Sequence, residues 1–215
     1  AMAFVKALFM YPYFWERTRG IDACNNEITC RPEVFANVFR YIREYVPLPE
    51  ERVVFLTRRP HIAITFHAGE DFLDIADGLR AIDEATLFLG MSRGDRIGHG
   101  LALGVDPKTH YQTKSSVLIL SKQDCLDNLM WICERSAELD VAIAPELKSR
   151  LYSKAMDLLY DIYGDAVRNE PWGNSISLRD YHLSWFLRGD SPMFYQTGKF
   201  WDDNLHDVFD SYGIN

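Results

Sequence analysis

Four side chains able to do acid–base or metal chemistry stand at the ends of short apolar runs. His67 and Glu70 close "ITFHAGE", His99 closes "RIGHG", and Asp22 closes "GID". An imidazole nitrogen can bind a metal or carry a proton, and a carboxyl group can donate or accept one. Only Ala68 and Gly69 separate His67 from Glu70. A tight turn must therefore hold that pair together where a strand ends.

Side chains alternate along a strand, which sorts them by parity. Ala63, Thr65 and His67 share one face, while Ile62, Ile64 and Phe66 share the bulky one suited to packing against helices. Ile97 and His99 share a face of "RIGHG", and Gly20 shares one with Asp22. In parallel α/β folds the C-terminal strand ends are where ligands bind. Each residue also has a plainer reading. His67 and His99 could be core or loop histidines bonded to carbonyls, and Asp22 could cap a turn. Glu70 could answer a helix dipole, as could Asp71. His61, His110, His182 and His206 have no partner spacing and read as structural or solvent-facing.

These ends need elements to position them. "IAITF" at 62–66 is a continuous apolar run, expected to be a parallel strand buried on both faces. "PEVFANVFRYIREYV" at 32–46 has helical spacing, with Val34, Phe35, Val38, Phe39, Ile42 and Val46 as its stripe, Pro32 in its first turn and Pro47 as its end. "EDFLDIADGLRAIDEATLFLG" predicts a helix with Phe72, Ile75, Ala76, Leu79 and Ile82 on one face and Gly90 as stop. The opening "AMAFVKALFMYPYFW" reads as one core helix. Strands alternating with helices up to about residue 110 predict an α/β fold with parallel strands. From 111 to 215 the pattern is mainly helical. Ser121 and Asp124 suit a helix start, Pro145 and Gly164 suggest the bounds of a second helix, and Ser177 and Gly189 those of a third. The terminal "WDDNLHDVFDSYGIN" could dock or fray.

With 215 residues, 47% hydrophobic and 25% charged, the chain can build one sizeable core or two small ones. A net charge of −8 without blocks of like charge argues for solubility and against a nucleic-acid backbone groove. No apolar run approaches the roughly 20 residues that span a bilayer, so no membrane segment is expected. The four cysteines form no C-x-x-C pair and read as reduced, cytoplasmic thiols, without a cysteine-ligated zinc site.

Three motifs in order, "GIDACNNE" at 20–27, "HAGE" at 67–70 and "RIGHG" at 96–100, resemble the adenosine deaminase family of metal-dependent hydrolases. "ITFHAGEDF…GLRAIDEA…GDRIGHGLALG" looks closest to the branch found as a subunit of the RADAR anti-phage defence system. The resemblance implies a TIM-type (β/α)8 barrel, of which residues 18–107 supply about three of eight strands, with a mainly helical insertion after them. It implies zinc held by His67, Glu70 as the acid that protonates the adenine ring at N1, and His99 orienting the attacking water. Asp22, Asn25 and Gly69 fall where the family contacts its substrate. The implied reaction is hydrolysis of adenosine or an adenine nucleotide to the inosine form, in a homo-oligomer with an ATPase partner.

Two departures limit this. The family's His-x-His zinc ligands are absent, and Asp202 and Asp203 lie in the wrong context to supply its aspartate ligand. Asn25 replaces the family's glycine, so a contact there can be made only through backbone. Three strands cannot close a barrel, and one histidine cannot hold catalytic zinc. The expectation is therefore a middle segment of a longer deaminase, incomplete alone. The alternatives are a catalytically silent, deaminase-derived scaffold and another metal-dependent hydrolase on a related barrel.

Overall fold

A computed structural model of the chain describes residues 1–24, 26–44, 62–168 and 176–190. The chain divides into two compact units, Ala1–Pro107 and Lys108–Asn215. Asn25, His61, Val46, Pro47, Asp202, Asp203, His206 and the C-terminal docking segment lie outside the described residues.

In the first unit the opening apolar stretch forms two helices, where the sequence suggested one. Helix α1 covers Met2–Met10 and α2 covers Pro12–Arg17. Pro12 disfavours helical backbone at Tyr11, which is extended at φ −125° and ψ 94°. Val5 and Leu8 pack with Ile42 and Ile62. Strand β1 (Gly20–Ala23) leads through a loop to α3 (Glu33–Glu44). There Ala36, Phe39 and Ile42 are buried, but Val34 and Val38 from the expected stripe face outward. Strand β2 (Ala63–Ala68), α4 (Ile75–Phe88) and β3 (Arg96–His99) follow. Gly90 ends α4 in the left-handed conformation, as its position suggested.

The strands form one parallel sheet in the order β1-β2-β3. Asp22 pairs with Thr65, His67 with Gly98, and Ala68 with His99. The sheet is not buried equally on both faces. Ile64 and Phe66 are buried, with Phe66 against Phe35 and Phe39 of α3, whereas Ala63, Thr65 and His67 are half-buried. Parity along β2 therefore sorted its side chains correctly, and the continuous apolar run overstated the burial of its small-residue face.

A buried ion network ties the loop after β1 to α4. Arg31 reaches Asp77 at 2.9 Å and Glu84 at 2.5 Å, and Arg80 reaches the same two acids at 2.9 and 2.8 Å. Two cations against two carboxylates leave no excess charge inside, the condition under which buried ions are tolerated. The sequence stripe on α4 missed this charged face. Asp95 does similar work before β3, taking the Ile64 amide at 2.8 Å and Arg43 at 2.5 Å.

The second unit contains α5 (Pro107–Thr113, which begins at the boundary), α6 (Lys122–Glu138), α7 (Pro145–Arg168) and α8 (Leu178–Leu187). Leu126, Met130, Ala155, Leu158, Leu159 and Tyr181 form its core. Ser121 and Ser177 cap α6 and α8, each accepting an amide hydrogen bond from the aspartate three residues on. Gly164 does not end α7. The helix bends at Tyr163 (φ −118°, ψ 16°) and continues to Arg168. Among the described residues, no helix is long and apolar enough to cross a membrane.

Candidate functional site

The C-terminal ends of β1, β2 and β3 converge on His67. Its Nε2 lies 3.5 Å from Asp22 Oδ2, and its Nδ1 lies 4.0 Å from Glu70 Oε2. Glu70 Oε2 is in turn 3.2 Å from His99 Nε2, and the two imidazole rings stand 5.0 Å apart. His67 thus has Asp22 on one side and Glu70 with His99 on the other, each pair of neighbours within a few ångströms. All four are partly open to solvent, with side-chain exposures between 24% for His67 and 46% for Asp22 and His99.

Register explains part of this convergence. Asp22 sits beside Thr65, which shares a face with His67, so Asp22 and His67 emerge on the same side of the sheet. His99 is different. It pairs with Ala68, on the opposite face, and simple alternation would direct it away from His67. A left-handed backbone at His99 (φ 59°) breaks the alternation and brings its ring to the site. That conformation costs a non-glycine residue about 1–2 kcal/mol.

Two glycines make room. Gly69 turns the chain at φ +76°, and a Cβ there would lie 2.6 Å from Ile82 Cδ1. Its carbonyl accepts the Ala102 amide at 2.8 Å, so Gly69 packs the turn onto α4 and the segment after β3. Gly98 lies under the His67 ring, where a Cβ would be 2.8 Å from Cδ2.

Glu27, in the motif "GIDACNNE", has no spacing to the other acids and histidines that marks it in the sequence. Glu27 is 9% exposed, and its Oε2 accepts the backbone N–H of Glu70 at 3.1 Å. The carboxylate therefore holds the turn that carries the proposed acid. Burial pushes the Glu27 carboxyl above its ordinary range, opposed by the backbone amides of Glu70, Gly69 and Asp71. Its Oε1 is buried without a hydrogen-bond partner among the described residues. Glu27, Cys24, Cys30, Phe66 and His67 line a small pocket that opens to solvent.

Two overlapping sets of potential metal ligands share His67: one with Asp22 and Cys24, the other with Glu70 and His99, each with its atoms within 4.8 Å of one another. Imidazole, carboxylate and thiolate are donors that zinc accepts, so these residues fit the ion that the resemblance implies. Of the histidines without partner spacing, His110 and His182 are described. His182 stacks on Trp185 at 11° between planes and meets Phe186 edge-on, and burial lowers its pKa.

No family model matches the chain, and no curated protein matches it.

Proposed function

We propose that this chain supplies part of the active site of a zinc-dependent hydrolase that deaminates adenosine or an adenine nucleotide, as a segment of a longer polypeptide. The observation that carries this reading is the convergence of His67, Glu70 and His99 from two adjacent strand ends, with Glu70 between the rings. The sheet supports it as well. Parallel strands adjacent in chain order, with aromatic helix packing on one face and a small-residue face half-open, suit an arc of a (β/α)8 barrel.

When bound at His67, zinc supplies a water nucleophile at neutral pH by lowering the pKa of that water. Glu70 donates a proton to N1 of the purine, which makes C6 electrophilic. His99 orients the attacking water and stabilises its developing charge. Water adds at C6 and ammonia leaves, giving the inosine form. Glu27 keeps Glu70 in place through the backbone of the turn.

The test is ammonia release from adenosine and from ATP by the naturally expressed, zinc-loaded protein. Glu70→Gln is expected to lower the rate by at least the roughly 10²–10⁴-fold typical of a lost general acid, with zinc content unchanged. Wild-type protein that binds zinc yet releases no ammonia from either compound would sink the reading.

A further inference from the structure

We propose that Asp22, Cys24 and His67 form a seat for a borderline-soft divalent cation, foremost zinc, on the Nε2 side of His67. The donors arrive from β1, the residue that follows it and β2, so the set is invisible in the cysteine spacing and exists only once β1 and β2 pair. Ligand atoms around tetrahedral zinc lie about 3.3 Å apart for nitrogen and oxygen. His67 Nε2 and Asp22 Oδ2 are already 3.5 Å apart. The Cys24 sulfur lies within 4.8 Å of both, on an exposed residue.

An independent feature marks the same place as a ligand site. Glu27 is 9% exposed and lines a pocket with Cys24 and His67, while its Oε1 lacks a hydrogen-bond partner among the described residues. A cation beside that pocket would offset the charge of the buried carboxylate. The other ligand set, His67 with Glu70 and His99, lies on the Nδ1 side of the same ring. Three protein donors leave a fourth position open, the arrangement of catalytic zinc. The inference rests on the deaminase reading only in taking His67 as a metal ligand.

Cobalt(II) titration of the 215-residue chain tests it. One equivalent is expected to produce a thiolate-to-cobalt charge-transfer absorption. Cys24→Ser should abolish that absorption and weaken binding by more than the roughly 10- to 100-fold that outer-shell partners are worth. Asp22→Asn should weaken binding too, while Glu70→Gln and Cys30→Ser leave both readouts unchanged. In the wild-type chain, zinc should slow alkylation of Cys24 and not of Cys30, a readout that needs no variant to fold. Absence of cobalt binding, an absorption that survives Cys24→Ser, or alkylation of Cys24 unaffected by zinc overturns the proposal. None of these readouts involves deamination, so cobalt binding through Cys24 together with a naturally expressed, zinc-loaded protein that releases no ammonia defeats the deaminase reading alone.

Discussion

Asp127 in the helical unit and Glu70 in the sheet unit are both acids surrounded by polar partners, yet their settings differ. Asp127 is 5% exposed, and both its oxygens are taken by Arg188 at 2.7 and 2.8 Å, with the Tyr181 hydroxyl as a further donor. Burial and the Asp127 carboxylate push the Tyr181 phenol up, so it stays a donor at neutral pH. Glu70 is 37% exposed and shares one oxygen between two imidazoles at 3.2 and 4.0 Å. The first arrangement is closed, and every charge has its partner. The second leaves lone pairs and ring nitrogens free for something that arrives. Closed networks hold a fold together, whereas open ones can do chemistry.

That contrast breaks if stability and activity do not separate by region. Asp127→Ala strands a largely buried guanidinium and is expected to cost about 3 kcal/mol or more, read from the urea midpoint. Glu84→Gln, at a residue 1% exposed, should cost a similar 3–5 kcal/mol by unbalancing Arg31 and Arg80. A smaller effect is expected from Gly98→Ala, where the new methyl must displace His67. Overpacking of this kind costs about 1–3 kcal/mol, and weaker zinc binding should accompany it. Glu70→Gln should shift stability by less than about 0.5 kcal/mol, because its carboxyl closes no buried network. A large loss of stability there would place Glu70 with the structural residues.

Acid sensitivity sharpens the same contrast. Burial alone would raise the Asp95 carboxyl, but the Ile64 and Ser92 amides and Arg43 outweigh it and hold the folded-state pKa below the ordinary value. The sign follows from linkage. Stability from this group is fully present above the unfolded pKa of about 3.9 and is lost as pH falls through the lower folded value. Asp95→Asn should therefore lower stability at neutral pH and flatten its decline below about pH 4, measured by urea unfolding across pH.

Much of the fold was legible because local rules dominate it. Serine caps, the Gly90 stop and the parity of β2 depend on neighbours in sequence, and all were readable. The opening stretch departs from a single helix because Pro12 disfavours helical backbone at Tyr11, an effect that apolar spacing does not display. Gly164 was read as an end, yet packing carries α7 past it with only a bend. The paired charges on α4 escaped notice because Arg31, Asp77 and Glu84 are distant in sequence, and no periodicity links them.

The sequence by itself determined the residue types at the strand ends and the turn that keeps His67 beside Glu70. Two residues between them, one a glycine, leave the chain little choice. Only the tertiary structure decided that His99 joins them, since alternation points it to the opposite face and a left-handed backbone turns it around. Pairing of β1 with β2 likewise decided that Asp22 and Cys24 meet His67 and that Glu27 grips the turn. Such meetings depend on register and backbone geometry between distant segments, which no spacing along a single chain can encode.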